Sequence, residues 1–378
     1  MTPGVNQYPK PENALQVSPH RLPRVSAIVD TPEQAAGLEL APLLVRRPLE
    51  AHLDAHGLGS GPIEAEPIGE GHSNVTFLVQ RGESELVLRR PPRGPLPPSA
   101  HDVLREARLL AALQDTRVRA PRVLLACDDE SVIGAPFYVM ERVHGDVITT
   151  ELPAPFDSEP ERRRIGEELV DALVELHAVD WSACGLEGYG KPTGYLERQL
   201  RRFGGLWEHN KTRELPLLDK LGGWLAEHRP ESGAATIVHG DYRLGNVMYA
   251  EGAPARLVSI FDWELATIGD PLADVGYLLA TWGERGDEEN PISALGGITR
   301  GAGFPTRSEL VERYEQGSGR SMSDVPWYMA LALWKSAIFL EGSYKRRLAG
   351  TTDDPWFDLL EHGVPAIVDR AWRRIEVS

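Results

Sequence analysis

A chain of 378 residues, 42% hydrophobic and 25% charged, is long enough for two domains or one two-lobed enzyme and too apolar for general disorder. Its formal charge of −16 argues against a general affinity for nucleic acid or anionic lipid, both of which reward clustered Lys and Arg. Cys127 and Cys184 lack the spacing of a zinc site or a disulfide framework, and the most apolar stretch, residues 327–340, is broken by Lys335 and too short to span a bilayer. A reducing, cytoplasmic setting without a membrane partner is expected.

Residues 1–30 are rich in Pro and polar groups, lack the apolar core of a signal peptide, and read as a loosely ordered arm. Residues 48–56 read as a short helix with Leu49 and Leu53 on one face and Gly57 placed to end it. Three strands are expected over 63–68, 75–80 and 85–90, in an antiparallel meander whose first turn is GEGHSN at 69–74. The prolines of PPRGPLPP at 91–98 exclude regular structure, whereas residues 99–113 carry Val103, Leu104, Ala107 and Leu110 at helical spacing. Two further strands, over 122–127 and 136–142, would complete a five-stranded sheet with one helix on it. A small lobe is thus expected over residues 31–142.

Residues 143–378 are expected to form a mainly helical lobe, with amphipathic patterns over 162–177, near 194–227 and over 326–347. Between these helices two short apolar runs, 236–238 and 257–261, end directly at the polar strings HGDYRLGN and DWE. The fold class expected is α+β. Strand ends of this kind are where chemistry is to be sought.

Phosphoryl transfer needs magnesium and cations around the triphosphate and one carboxylate to orient the attacking hydroxyl. His239, Asp241 and Asn246 have the spacing H-x-D-x-x-x-x-N of a kinase catalytic loop, in which the Asp accepts the hydroxyl proton and the Asn reaches a metal. Asp262 closes the apolar run LVSIF, where a second hard oxygen donor suits magnesium. Upstream, Gly69 and Gly71 would let backbone amides approach phosphates, with Ser73 or Asn74 adding side-chain donors. The third strand delivers Arg89 where kinases present a lysine, and Glu106 on the following helix is its natural partner. Strand alternation allows only one of Arg89 and Arg90 to face a nucleotide, and Arg89 is the expected one.

Through GEGHSN, VLRRPP, REARLLAAL, FYVMERVHG, IVHGDYRLGNVMY and FDWELATIGDPLADVGYLL, the chain resembles the aminoglycoside phosphotransferases and related kinases of protein-kinase fold over residues 60–345. Its wording is nearest to the branch associated with acyl-CoA dehydrogenases. The resemblance implies a bilobal fold with ATP between the lobes and Mg2+ as cofactor. It also implies nucleotide contacts from Gly69, Gly71, His72, Ser73, Asn74, Arg89 and Glu106, and backbone bonds to adenine from Met140, Glu141 and Val143. Asp241 would be the catalytic base and Asn246 and Asp262 the metal ligands, while Asp270 and Asp274 would brace the loop. An Arg in the lysine place departs from the family pattern, because a guanidinium clasps phosphate differently from an ammonium. GDPLADV follows Asp262 almost at once, leaving no room for the activation segment of a protein kinase, so the expected partner is a small hydroxyl acceptor. That acceptor is either an aminoglycoside or a hydroxylated metabolite such as a hydroxyacyl thioester. Glu284, Asp287, Glu288 and Glu289, or Asp353, Asp354, Asp358 and Glu361, could attract a polycation. The alternative function is a nucleotide-binding sensor that no longer transfers phosphate.

Overall fold

Alternation of apolar and polar residues beyond position 60 produces strands in the computed structural model, which describes residues 28–68, 74–94, 101–352 and 354–376. The chain divides between His144 and Gly145 into two compact units. The first begins with a two-residue parallel pair, β1 (Ile28–Val29) and β2 (Leu44–Val45), around the short α1 (Pro32–Ala36), and continues into α2 (Arg46–Ala55). Its sheet contains β3 (Glu64–Ile68), β4 (Val75–Arg81), β5 (Ser84–Arg90), β6 (Val123–Cys127) and β7 (Phe137–Glu141), and α3 (Val103–Leu113) lies between β5 and β6 in sequence. The strand order is β3-β4-β5-β7-β6, antiparallel throughout, so the five-stranded sheet read from the sequence is present.

Phe77 of β4 stands directly opposite Leu88 of β5, and both are fully buried with Val79, Leu86, Phe137 and Val139. Leu49 and Leu53 of α2 cover this face. Burial of each such side chain is worth about 1.5–3 kcal/mol, which is what commits the alternating pattern to one register. Helix α3 starts at Val103, four residues later than its periodicity suggests, because the Asp102 side chain accepts the Arg105 amide at 2.9 Å and caps it there.

The second unit contains α4 (Glu159–His177), α5 (Tyr195–Asn210) and α6 (Pro216–Glu227), then four short strands, β8 (Thr236–Val238), β9 (Val247–Tyr249), β10 (Leu257–Ile260) and β11 (Thr267–Gly269). These pair as two antiparallel ribbons, β9 with β10 and β8 with β11. Helices α7 (Leu272–Thr281), α8 (Pro291–Ala294), α9 (Arg307–Ser318), α10 (Val325–Leu348) and α11 (Leu360–Glu376) complete the unit. Helix α10 is the hub: Trp327, Leu331, Trp334 and Ile338 join residues of α5, α6 and α11 in one buried cluster. Gly276 brings α7 onto α10, since a Cβ there would lie 2.6 Å from the Tyr328 carbonyl oxygen. That approach fixes the base of the α7 segment that carries Asp274. Among the described residues no helix is long and apolar enough to cross a membrane, and both cysteines are free thiols.

Candidate active site

The ribbons β8–β11 and β9–β10 each end in a polar turn, and a short set of hydrogen bonds ties these turns together. Fully buried His239 follows β8, and its Nε2 is 2.8 Å from the Phe261 carbonyl while its Nδ1 accepts the Asp241 amide at 3.2 Å. Both contacts are met by the tautomer protonated on Nε2. The Phe261 amide in turn donates to the Asn246 carbonyl at 2.8 Å. Phe261, the residue after β10, is therefore held at both its amide and its carbonyl by the loop after β8, and Asp262 follows it directly. Asp262 has left-handed backbone (φ 66°, ψ 57°), a conformation that costs on the order of 1 kcal/mol and that Asp tolerates better than most residues.

Asn246 donates through Nδ2 to both the Asp241 carbonyl, at 2.8 Å, and Asp241 Oδ2, at 2.7 Å. Its side-chain oxygen therefore points away from the carboxylate it holds. Asp241 Oδ1 has Arg243 Nε at 3.7 Å, and the carboxylate keeps about a fifth of its surface exposed (21%). On α7, burial and then the Asp241 charge push the Tyr277 hydroxyl well above its ordinary range, so it stands as a neutral donor beside that carboxylate.

Gly240 between His239 and Asp241 is required twice over. Its φ is 91°, and a Cβ would meet Leu265 Cβ at 2.9 Å. The loop is also braced from below. Asp274, 1% exposed, accepts the His239 amide at 2.7 Å, the Gly240 amide at 2.8 Å and His177 Nε2 at 3.2 Å. His177 Nδ1 meets the Tyr314 hydroxyl at 2.7 Å. Burial pushes the Asp274 carboxyl up, but the bonds from His177 and Gly240 help bring it below its ordinary value; burial holds His177 low and neutral. Asp270 accepts the Leu272 amide at 3.1 Å and the Tyr328 hydroxyl at 2.8 Å. Tyr242 and Tyr249 pin the same loop and β9 to α4 through the Leu169 and Ile165 carbonyls, each at 2.7 Å.

In the first unit Arg89 Nε lies 3.1 Å from Glu106 Oε2, with Glu106 2% and Arg89 14% exposed. Arg90, its neighbour on the opposite face of β5, is buried and donates to the Pro91, Leu43 and Ile133 carbonyls. Asn74 is buried at the start of β4. Met140 is buried in β7, Val143 follows that strand, and the Glu141 amide is spent on the Arg122 carbonyl at 3.0 Å. Gly69, Gly71, His72 and Ser73 lie outside the described residues, as does Asp353.

The acidic stretch after α7 is not an open anionic surface. Arg307 bonds Glu284 at 2.6 Å and also Asp287, Arg370 lies 3.5 Å from Asp287, Arg373 pairs with Glu288 and Arg300 with Glu289. In the second acidic group Asp358 is bonded twice by Arg347. In the first group each carboxylate is thus paired with an arginine. Residues that the sequence reading did not single out as partners of the loop are Tyr277, Arg243 and His177. The only linear signal for them is proximity to HGD or placement on an apolar helix face.

Residues 64–318 match the family model described as the phosphotransferase enzyme family, two thirds of the chain and every loop residue described above. The chain belongs to this phosphotransferase family. A solved structure from Ralstonia eutropha JMP134, classed as an aminoglycoside phosphotransferase, is 33% identical, with a TM-score of 0.76 over 87% of this chain and 97% of its own. Acyl-CoA dehydrogenase family member 10 of Mus musculus is 35% identical over 300 residues, 77% of this chain and 27% of that protein. The chain spans between 27% and 40% of the length of the curated relatives it matches, which are named as acyl-CoA dehydrogenases. A more distant phosphotransferase, the aminoglycoside enzyme APH(4)-Ia solved with AMP-PNP and hygromycin B, is 18% identical with a TM-score of 0.55, covering 87% of this chain and 98% of its own, and shares the fold. The phosphotransferase chain thus has the α+β kinase-like fold expected from its motifs, on the acyl-CoA dehydrogenase-associated branch. The matched residues end with α9, so α10 and α11 lie beyond the family model.

Proposed function

We propose that the chain is an ATP- and magnesium-dependent phosphotransferase that moves the γ-phosphoryl group to a hydroxyl of a small molecule. The observation that carries this reading is the Asp241 carboxylate, held on one oxygen by Asn246 and left accessible on the other, in a loop that Asp274 locks from below. In the reaction the acceptor oxygen forms a new bond to the γ-phosphorus, the bond from that phosphorus to the β,γ-bridging oxygen breaks, and ADP leaves. The acceptor proton passes to Asp241 Oδ1, the freer oxygen. Arg243 and Tyr277 stand beside that carboxylate.

Asn246, through its side-chain oxygen, and Asp262 are the residues that would hold the metal. Two oxygen donors fit magnesium, which takes one or two protein ligands and completes its shell with water and phosphate oxygens. No group of three or more His, Cys, Asp or Glu side chains poised for a metal occurs among the described residues, which suits an ion carried in with the nucleotide. Bound magnesium supplies charge neutralisation on the phosphate oxygens. Arg89, aimed by Glu106, is the proposed phosphate-contacting cation, and Met140, Glu141 and Val143 the proposed adenine contacts. The glycine loop at 69–74 is assigned by motif alone.

The acceptor class is open between aminoglycosides and hydroxylated metabolites such as hydroxyacyl thioesters, the latter supported by the acyl-CoA dehydrogenase names of the relatives. An acceptor panel scored by phosphate mass gain tests the reading. Transfer that needs magnesium and disappears in Asp241→Ala, with nucleotide binding retained, is expected. Nucleotide binding with no Asp241-dependent transfer to any member would instead favour a sensor.

A further inference from the structure

A cavity of about 410 Å³ lies in the second unit between the loop after α7, the start of α10 and the last turns of α11. Arg370, Arg373 and Arg374 of α11 stand at i, i+3 and i+4, on one face of that helix, and all three line the cavity. Like charges at this spacing oppose helix formation. The helix dipole offsets this for Arg373 and Arg374, which belong to the last turn, but not for Arg370, which lies before it. Pro326 and Met329 of α10 give the cavity an apolar wall.

Arg370 and Arg307 are equally buried, each with its side chain 9% exposed, yet they are served differently. Arg307 donates from Nε to the Leu279 carbonyl at 3.0 Å, from Nη1 to Glu284 at 2.6 Å and Asp287 at 3.2 Å, and from Nη2 to the Trp282 carbonyl and Asp287. Among the described residues Arg370 reaches only Asp287 Oδ2, at 3.5 Å from Nη2. That is well beyond the roughly 2.7–2.9 Å of a charge-assisted bond, and the same oxygen already accepts from Arg307 and from the Glu284 amide. Arg370 Nη1 has no acceptor among the described residues. Glu288, the other carboxylate on the cavity, is held by both Nη atoms of Arg373, at 2.9 and 2.5 Å. Both carboxylates of the lining are therefore committed, and a buried guanidinium is left short of acceptors, which costs stability unless an anion completes it. Burial, with Arg307 and Arg374 adding to it, pulls Arg370 down to about 10, which leaves it charged at neutral pH.

We propose that this cavity binds a small organic anion, a carboxylate or phosphate monoester on a short apolar stem, with Arg370 and Arg374 taking the anionic group and Pro326 and Met329 the stem. The volume suits such a compound, since ligand pockets run from roughly 300 to 1,000 Å³. The three arginines lie beyond the matched residues 64–318, so the site is not a feature that the family match implies. None of the lining residues is among those that hold Asp241 or Asn246, and the site stands whether or not Asp241 transfers phosphate.

The test uses the full chain with butyl phosphate, butanoate, butanol and butylamine as probes, and inorganic phosphate and acetate as anions without the stem. Titration calorimetry reads affinity, and amide hydrogen exchange of the parent chain reads place. Butyl phosphate or butanoate should bind at least about tenfold more tightly than butanol, and the tighter of the two names the anion. Arg370→Met should abolish that preference, and Arg374→Gln, at a partly exposed position, should weaken it by about threefold or more. With the probe bound, α11 and residues 286–288 should exchange more slowly. If Arg370→Met does not fold, Arg374→Gln and the exchange measurement decide. Butanol or butylamine binding as tightly as the anions, inorganic phosphate and acetate matching the stemmed anions, affinity unchanged in the folded arginine variants, or protection confined to residues 239–246 would each overturn the site.

Discussion

Asp274 and Asp241 belong to one small region of the second unit, yet their carboxylates are used in opposite ways. Asp274 is 1% exposed and has both oxygens filled, by two backbone amides and His177. Asp241 is 21% exposed, has one oxygen taken by Asn246, and has Arg243 Nε 3.7 Å from the other, with the Tyr277 hydroxyl beside the carboxylate. A saturated buried carboxylate can hold structure but has nothing left to offer a substrate. An unsaturated one costs stability and is available for proton transfer. A related contrast separates Arg90, whose donors end on carbonyls, from Arg89, whose guanidinium is paired with the Glu106 carboxylate.

The sharpest way to break the comparison is to remove each aspartate in turn. Asp241→Ala should lower kcat by about three orders of magnitude or more, the range for losing a general base, while thermal stability stays within about 1 kcal/mol. Asp274→Ala should cost about 3–5 kcal/mol, because it strands two buried amides and His177. Denaturant unfolding followed beside steady-state kinetics reads both. If Asp274→Ala unfolds like the parent and loses only kcat, the division into brace and base is wrong.

A smaller effect is expected for the arginine pair. Arg89→Ala should weaken nucleotide binding by about tenfold and also cost about 1–3 kcal/mol, since it removes from the central strand β5 a guanidinium paired with the buried Glu106 carboxylate. Arg90→Ala should leave nucleotide affinity alone and cost about 1–3 kcal/mol by stranding the carbonyls of Leu43 and Ile133. Competition titration with a fluorescent nucleotide distinguishes the two. An exchange of these phenotypes would show that strand alternation was assigned to the wrong arginine.

How much of this was legible in the chain depends on the range of the interaction. The five-stranded sheet follows from period-two alternation, and β8 and β10 from short apolar runs that stop at HGD and DWE, because burial imposes those patterns locally. The pairing of Arg89 with Glu106 was expected from motif order and is present at 3.1 Å. What could not be read is anything set by contacts between distant segments. The start of α3 depends on whether Asp102 caps it, and the acidic run at 284–289 looks like an open anionic surface until Arg307, Arg370 and Arg373 arrive from α9 and α11. Tyr277 and His177 carried no motif. Lys335 did carry a signal, a lone lysine in the most apolar stretch, and its meaning depended on what α5 and α7 place beside it.

That lysine gives the smallest expected effect, though its sign is informative. Its folded value of about 8 lies below the ordinary 10.5, because burial disfavours the charged form. Below pH 8 both folded and unfolded chains hold the proton, and the fold carries the whole cost of the buried charge. Between about pH 8 and 10.5 the unfolded chain binds more protons, so this group's contribution to stability rises with pH; above that window the cost is gone. Lys335→Met should therefore be more stable than the parent by on the order of 1–3 kcal/mol at pH 7, with a difference that shrinks as pH rises toward 10.5. Paired urea unfolding across pH 7 to 10.5 isolates the term, since every other titrating group is common to both proteins. A lysine kept for packing would give the opposite sign, a Met variant less stable at neutral pH.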